Sequence, residues 1–91
     1  MAYLIDYTEK AIKGLIHLRE NEPKAYEKAR KLINELKTHP RTGTGKPEQL
    51  KGDRAGQWSR RINNRHRMVY MINDLDVVVL VLTTRGHYDD K

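Results

Sequence analysis

Apolar and polar positions along this chain follow three regimes. A helical period runs to about residue 40, no period is visible over residues 41–56, and a period of two begins at Gln57. Tyr3-Leu4-Ile5 reads as a short first strand. Asp6 with Glu9 three residues later reads as a capping box closing the start of a helix. Ile12, Leu15, Ile16 and Arg19 recur at helical intervals, which predicts an inner face made of the three aliphatic residues. Pro23 suits the first turn of a second helix, where its missing N–H is no loss. Ala25, Ala29, Leu32, Ile33 and Leu36 continue that helix and Pro40 ends it. Residues 20–22 then link an antiparallel helical pair.

Residues 41–56 form a long loop for a chain of this size, and such loops are more often functional or disordered than simple connections. After them Trp58, Arg60 and Ile62 alternate with Ser59 and Arg61 as a strand. Asn63-Asn64 is a tight-turn signal. A two-residue turn there sets Arg60 opposite Arg67 and Arg61 opposite His66. His66, Met68, Tyr70 and Ile72 alternate with Arg67, Val69 and Met71 in the next strand, and Asn73-Asp74 marks a second turn. Residues 77–83 are continuously aliphatic and β-branched, which predicts a central strand buried on both faces. The order predicts an α+β fold: an antiparallel twisted sheet with two N-terminal helices packed on one face. Residues 1–91 are expected to form one domain.

Composition sharpens this picture. Apolar residues make up 37% of the chain and phenylalanine is absent, so the core is expected to be aliphatic. Lys and Arg number 18 against 12 Asp and Glu, a net charge of +6. Such a balance points to a polyanionic partner, either nucleic acid or an acidic protein. The chain has no cysteine, which excludes disulfides, thiolate metal sites and a cysteine nucleophile, and fits a reducing cytoplasm. No window is long and apolar enough to span a membrane, and no basic stretch followed by an apolar one marks a signal peptide. His17, His39, His66 and His87 lack metal-ligand spacing, so no metal or other cofactor is expected.

The candidate chemistry lies in the second half. Gly43-Thr44-Gly45-Lys46 is not a Walker loop. Its first glycine would fall at Pro40, no strand precedes it, and Pro47 replaces the Ser or Thr. Glu48 stands beside Pro47 and between Lys46 and Lys51, either as a general base or as an ordinary exposed loop carboxylate. Arg60, Arg61 and Arg67 are suited to phosphate, which a guanidinium grips with two hydrogen bonds, although a solvated basic sheet face accounts for them equally well. His87 and Tyr88 follow the most apolar strand. RNA cleavage without a metal requires a base for the 2′-OH, cations for the transition state, an acid for the 5′-oxygen and a surface for the bases. Glu48, Arg67 with Lys51, and His87 can fill the first three roles, and Tyr88 can stack on a base or orient the phosphate.

Four segments in register carry a resemblance to a known family. Gly45-Lys46-Pro47-Glu48 with Leu50-Lys51, then Trp58-Ser59-Arg60-Arg61-Ile62, then His66-Arg67 with Val69-Tyr70, then His87-Tyr88, resemble the YoeB/Txe toxins of the RelE/ParE superfamily over roughly residues 35–88. The resemblance implies a microbial-RNase-like α+β fold and a bacterial, cytoplasmic toxin that cleaves mRNA on the ribosome. It implies Glu48 as base, Arg67 as transition-state stabiliser, His87 as acid and Tyr88 as a positioning residue. Lys51 and Arg61 become phosphate or ribosomal-RNA contacts, and Lys46 and Arg60 stand beside them as candidate phosphate ligands. It further implies a YefM/Phd-type antitoxin, whose acidic segment suits a +6 surface, and a homodimer. Two departures stand out: Gly86 replaces an aromatic common before the closing pair, and Asp89-Asp90-Lys91 extend beyond it. The competing readings are a ParE-like gyrase inhibitor, which generally lacks this acid–base set, and a non-catalytic nucleic-acid-binding domain.

Overall fold

A computed structural model of the chain describes residues 2–86. Strand β1 (Leu4–Tyr7) leads into α1 (Glu9–Asn21) and α2 (Pro23–Leu36). Strand β2 (Glu48–Gln49), a 3-10 turn (Gly52–Arg54), β3 (Gln57–Arg61), β4 (Arg67–Asn73) and β5 (Val78–Thr83) follow. The strands form one sheet in the order β1-β5-β4-β3-β2.

The two helices and the α+β arrangement match expectation, with one correction. The sheet is mixed: β2 to β5 form an antiparallel meander, but β1 lies parallel to β5, with Ile5 opposite Val79 and Tyr7 opposite Val81. Turn signals fix direction only between strands joined by a turn. β1 reaches its neighbour through the rest of the chain, a crossover that permits parallel pairing.

Helix α1 starts at Thr8, not Asp6. The Thr8 hydroxyl accepts the Ala11 N–H at 3.1 Å and donates to the Leu82 carbonyl at 2.7 Å, so one side chain caps the helix and ties it to β5. Its buried face is Ala11, Gly14 and Leu18, whereas Ile12 and Ile16 are exposed. Close approach decides this. A Cβ on Gly14 would lie 2.4 Å from the Thr84 Oγ1, and Thr84 donates to the Ala11 carbonyl at 2.7 Å. Helix α2 buries all five residues that its spacing indicated: Ala25, Ala29, Leu32, Ile33 and Leu36.

Those side chains meet Leu18, Met68, Tyr70, Val79 and Val81 in the core. Burial of each large aliphatic contributes about 1.5–3 kcal/mol. β5 is not buried on both faces as its sequence suggested. Val79 and Val81 are fully buried, while Val78, Leu80 and Leu82 are half-buried, because both helices lie on one side of the sheet. Val77 falls in the preceding turn with φ +56°, where the Asn73 side chain accepts the Asp76 N–H at 3.0 Å.

Candidate active site on the open face of the sheet

Residues directly opposite on paired strands share a face, and alternate residues swap faces. Trp58, Arg60, Met68, Tyr70 and Val81 therefore face the helices, as the burial of Arg60, Met68, Tyr70 and Val81 shows. Glu48, Ser59, Val69 and Thr83 form one cross-strand row on the other face. Arg61 and Arg67 form the adjacent row. Glu48 and Arg67 thus share the face turned away from the helices, two inter-strand spacings or about 10 Å apart laterally. A gap of that size is within the reach of two long side chains.

The register differs from expectation. Arg61 pairs with Arg67 and Arg60 with Met68. The connection is longer than two residues: the Ile62 and Asn63 N–H groups both bond the His66 carbonyl, and the Asn63 Oδ1 accepts the N–H groups of Arg65 and His66.

Arg60 is corrected from phosphate ligand to internal pin. It is wholly buried, and its five N–H groups have five acceptors. Nε donates to the Tyr70 hydroxyl at 3.1 Å, and one terminal nitrogen donates to Glu35 at 3.0 Å and to the Thr44 carbonyl at 3.2 Å. The other donates to the carbonyls of His39 and Thr42. Its alternation with Trp58 and Ile62 is the signal that could have placed it inward. Glu35 also accepts the Thr44 hydroxyl at 2.6 Å and the Thr44 N–H at 2.9 Å. The Thr44 hydroxyl above all, with its N–H and Arg60, outweighs burial and holds the Glu35 carboxyl below the ordinary carboxylate value.

This network shapes the loop that carries Glu48. Gly45 has φ +86°, and a Cβ there would meet the Arg61 carbonyl at 3.0 Å. Its own carbonyl accepts the Arg61 N–H at 2.7 Å. Lys46 follows with φ +52°, an uncommon conformation for a side-chain-bearing residue, and delivers the chain through Pro47 into β2. Leu50 is buried and donates its N–H to Gln57 at 2.9 Å, fixing the segment beyond Glu48. Lys46, Glu48, Lys51 and Arg61 are exposed, and Arg67 is half-buried.

A bulge in β5 precedes the segment that brings Gly86 to the same place. Val69 pairs with Thr83 but Tyr70 with Val81, so Leu82 is an extra residue that bends the strand. Beyond it the Gly86 carbonyl accepts the Arg67 N–H at 2.8 Å. His87 and Tyr88 lie outside the described residues. The structure therefore brings together Glu48, Arg61 and Arg67, with Lys46 and Lys51 at either end of β2.

Sequence reasoning gave no role to Ser59, His66 or Glu22. Ser59 is buried in the row of Glu48, and its hydroxyl has no hydrogen-bond partner among the described residues. His66 is buried against Glu22, whose carboxyl it holds below the ordinary value, chiefly through its hydrogen bond. Among the described residues no three metal-ligating side chains gather, and no helix is long and apolar enough to cross a membrane.

Comparison with known proteins shows the family and agrees with the fold. The family model of the YoeB-like toxin of bacterial type II toxin–antitoxin systems matches residues 7–88. Toxin YoeB of Synechocystis sp. is 39% identical over 84 residues, covering 92% of this chain and 95% of the relative. A YoeB/ParE toxin from Agrobacterium tumefaciens superposes with a TM-score of 0.88 at 36% identity, covering 93% of this chain and 99% of that one. YoeB in the YoeB–YefM complex from Staphylococcus aureus superposes with a TM-score of 0.80 at 30% identity, covering 94% of this chain and 98% of that one. A YoeB dimer from the same species has a TM-score of 0.81 at the same identity and coverage.

Proposed function

The chain belongs to the family of YoeB-like toxins of bacterial type II toxin–antitoxin systems, and we propose that it is a ribosome-dependent endoribonuclease that halts translation by cutting mRNA in the A site. The observation that carries this reading is the shared open face of Glu48, Arg61 and Arg67, with Gly86 hydrogen-bonded to Arg67.

In this mechanism the Glu48 carboxylate takes the proton of a ribose 2′-OH. The freed oxygen attacks the adjacent phosphorus. Arg67 and Arg61, with Lys46 and Lys51 at the ends of β2, stabilise the charge that gathers on the phosphoryl oxygens. The bond from phosphorus to the 5′-oxygen breaks, and His87 supplies its proton. The products are a 2′,3′-cyclic phosphate and a 5′-hydroxyl. Tyr88 positions the substrate. Arg61 stands directly opposite Arg67, a pairing of two guanidiniums suited to a phosphate.

The net charge of +6 suits both ribosomal RNA and an acidic antitoxin segment. The partner we assign is an antitoxin of the YefM type, as in the Staphylococcus aureus complex, and a second copy of the chain is a further candidate partner. Action on translating ribosomes places the protein in the cytoplasm.

A reconstituted translation reaction with purified toxin tests the chemistry. Cleaved mRNA whose new 5′ ends accept label from polynucleotide kinase without prior phosphatase treatment supports it. New ends that accept label only after phosphatase contradict the mechanism. Intact mRNA contradicts the nuclease reading and favours a binding toxin.

A further inference from the structure

Glu22 is the single residue between α1 and α2. Its carboxylate lies 2.9 Å from the His66 Nε2 and accepts from Arg65 at 2.7 Å. On the other side of the His66 ring, Nδ1 lies 2.8 Å from the Gly86 backbone N–H. These partners fix the tautomer. An ionised carboxylate can only accept and a backbone N–H can only donate, so Nε2 holds the proton and Nδ1 offers its lone pair. His66 is buried, with 7% of its surface exposed.

Gly86 is thereby held at both backbone groups, its N–H by the His66 side chain and its carbonyl by the Arg67 N–H at 2.8 Å. Its φ of +79° is readily adopted only by glycine, and it accompanies this double attachment to two consecutive residues of the chain. The glycine that replaces the family's aromatic thus has a conformational reason. The residue after Gly86 in the sequence is His87.

We infer that Glu22 and His66 form a positioning pair that fixes Gly86 and so sets the point, beside Arg67, from which the chain carrying His87 and Tyr88 departs. The inference rests on the nuclease reading for its effect on rate, but not for the anchoring of Gly86. Neither residue touches substrate in this account. Helix junction and catalytic face become connected: a change at Glu22 reaches Gly86, beside Arg67, through one imidazole.

The test pairs cleavage kinetics on ribosome–mRNA complexes with hydrogen exchange at the Gly86 amide, in wild type, His66→Phe and His66→Gln. Phenylalanine fills the space but makes neither hydrogen bond. Glutamine carries an acceptor and a donor at a spacing close to that of the ring nitrogens. The expected result for His66→Phe is Gly86 exchange about tenfold faster, kcat lower by about 10- to 100-fold and KM nearly unchanged. His66→Gln should restore most of both losses. Should the phenylalanine variant be too unstable to assay, Glu22→Ala carries the same test and should shift exchange and kcat in the same directions. Wild-type kcat in His66→Phe overturns the inference, as does a lost kcat with Gly86 exchange unchanged. If wild type itself leaves mRNA intact, the nuclease reading fails. The anchor then stands or falls on whether His66→Phe accelerates Gly86 exchange.

Discussion

Arg60 and Glu35 meet at 3.0 Å with the guanidinium wholly buried, and this pair joins β3, α2 and the loop leading to Glu48. The structure of the candidate base therefore begins inside the protein, at a guanidinium that never reaches the surface.

Removing one member of that pair leaves a buried charge without its counter-ion. Glu35→Ala should destabilise the fold by about 3 kcal/mol, at the low end for a broken buried pair because the carbonyls around Arg60 remain. Urea denaturation checks the value. A loss below about 0.5 kcal/mol would show that the carbonyls alone hold Arg60.

The same carboxyl predicts a pH dependence. Folding lowers the Glu35 pKa from its ordinary 4.5, with the Thr44 hydroxyl as the largest cause. Its contribution is full above that ordinary value and is lost as pH falls through the lowered one. The stability gap between wild type and Glu35→Gln should thus narrow from about pH 6 to about pH 3. Thermal melts across that range decide it, and a gap that widens on acidification contradicts the network described.

Gly45 holds the loop by conformation and by space. Gly45→Ala places a Cβ 3.0 Å from the Arg61 carbonyl at a φ of +86°. The backbone strain is about 1–2 kcal/mol before any clash. The variant should melt at a lower temperature and should also lose cleavage activity, since Lys46 and Glu48 follow directly. A variant of normal stability and full activity would separate Gly45 from the site.

Ser59→Ala removes a buried hydroxyl that has no partner among the described residues. Stability should be unchanged or higher by up to about 1 kcal/mol. A loss of more than about 1 kcal/mol in denaturant titration would show that the hydroxyl is hydrogen-bonded in the folded protein.

What the chain discloses unaided follows how locally each feature is determined. The buried stripe of α2 is legible because its partners all lie one helical turn apart. The buried face of α1 is not, because Gly14 is chosen by contact with Thr84, a residue far along the chain. The direction of β1 is set by a crossover, which leaves no turn to read. Arg60 stands in alternation with Trp58 and Ile62, the signal that could have placed it inward, but its acceptors come from a loop without periodicity. His66 looked like a strand residue because the connection after β3 is longer than two residues. Glu48, Arg61 and Arg67 were legible as candidates from residue type, and only the cross-strand register puts them on one face.

The most direct test of the nuclease proposal is the mapping of mRNA 5′ ends after inducible expression in bacteria of wild type, Glu48→Gln and His87→Ala. Growth arrest with new ends at ribosome-occupied codons is expected in wild type, and their loss in both variants, each of which keeps the +6 surface nearly intact. Growth arrest without new ends, or equal arrest by the variants, would contradict it and point to a toxin that acts by binding alone.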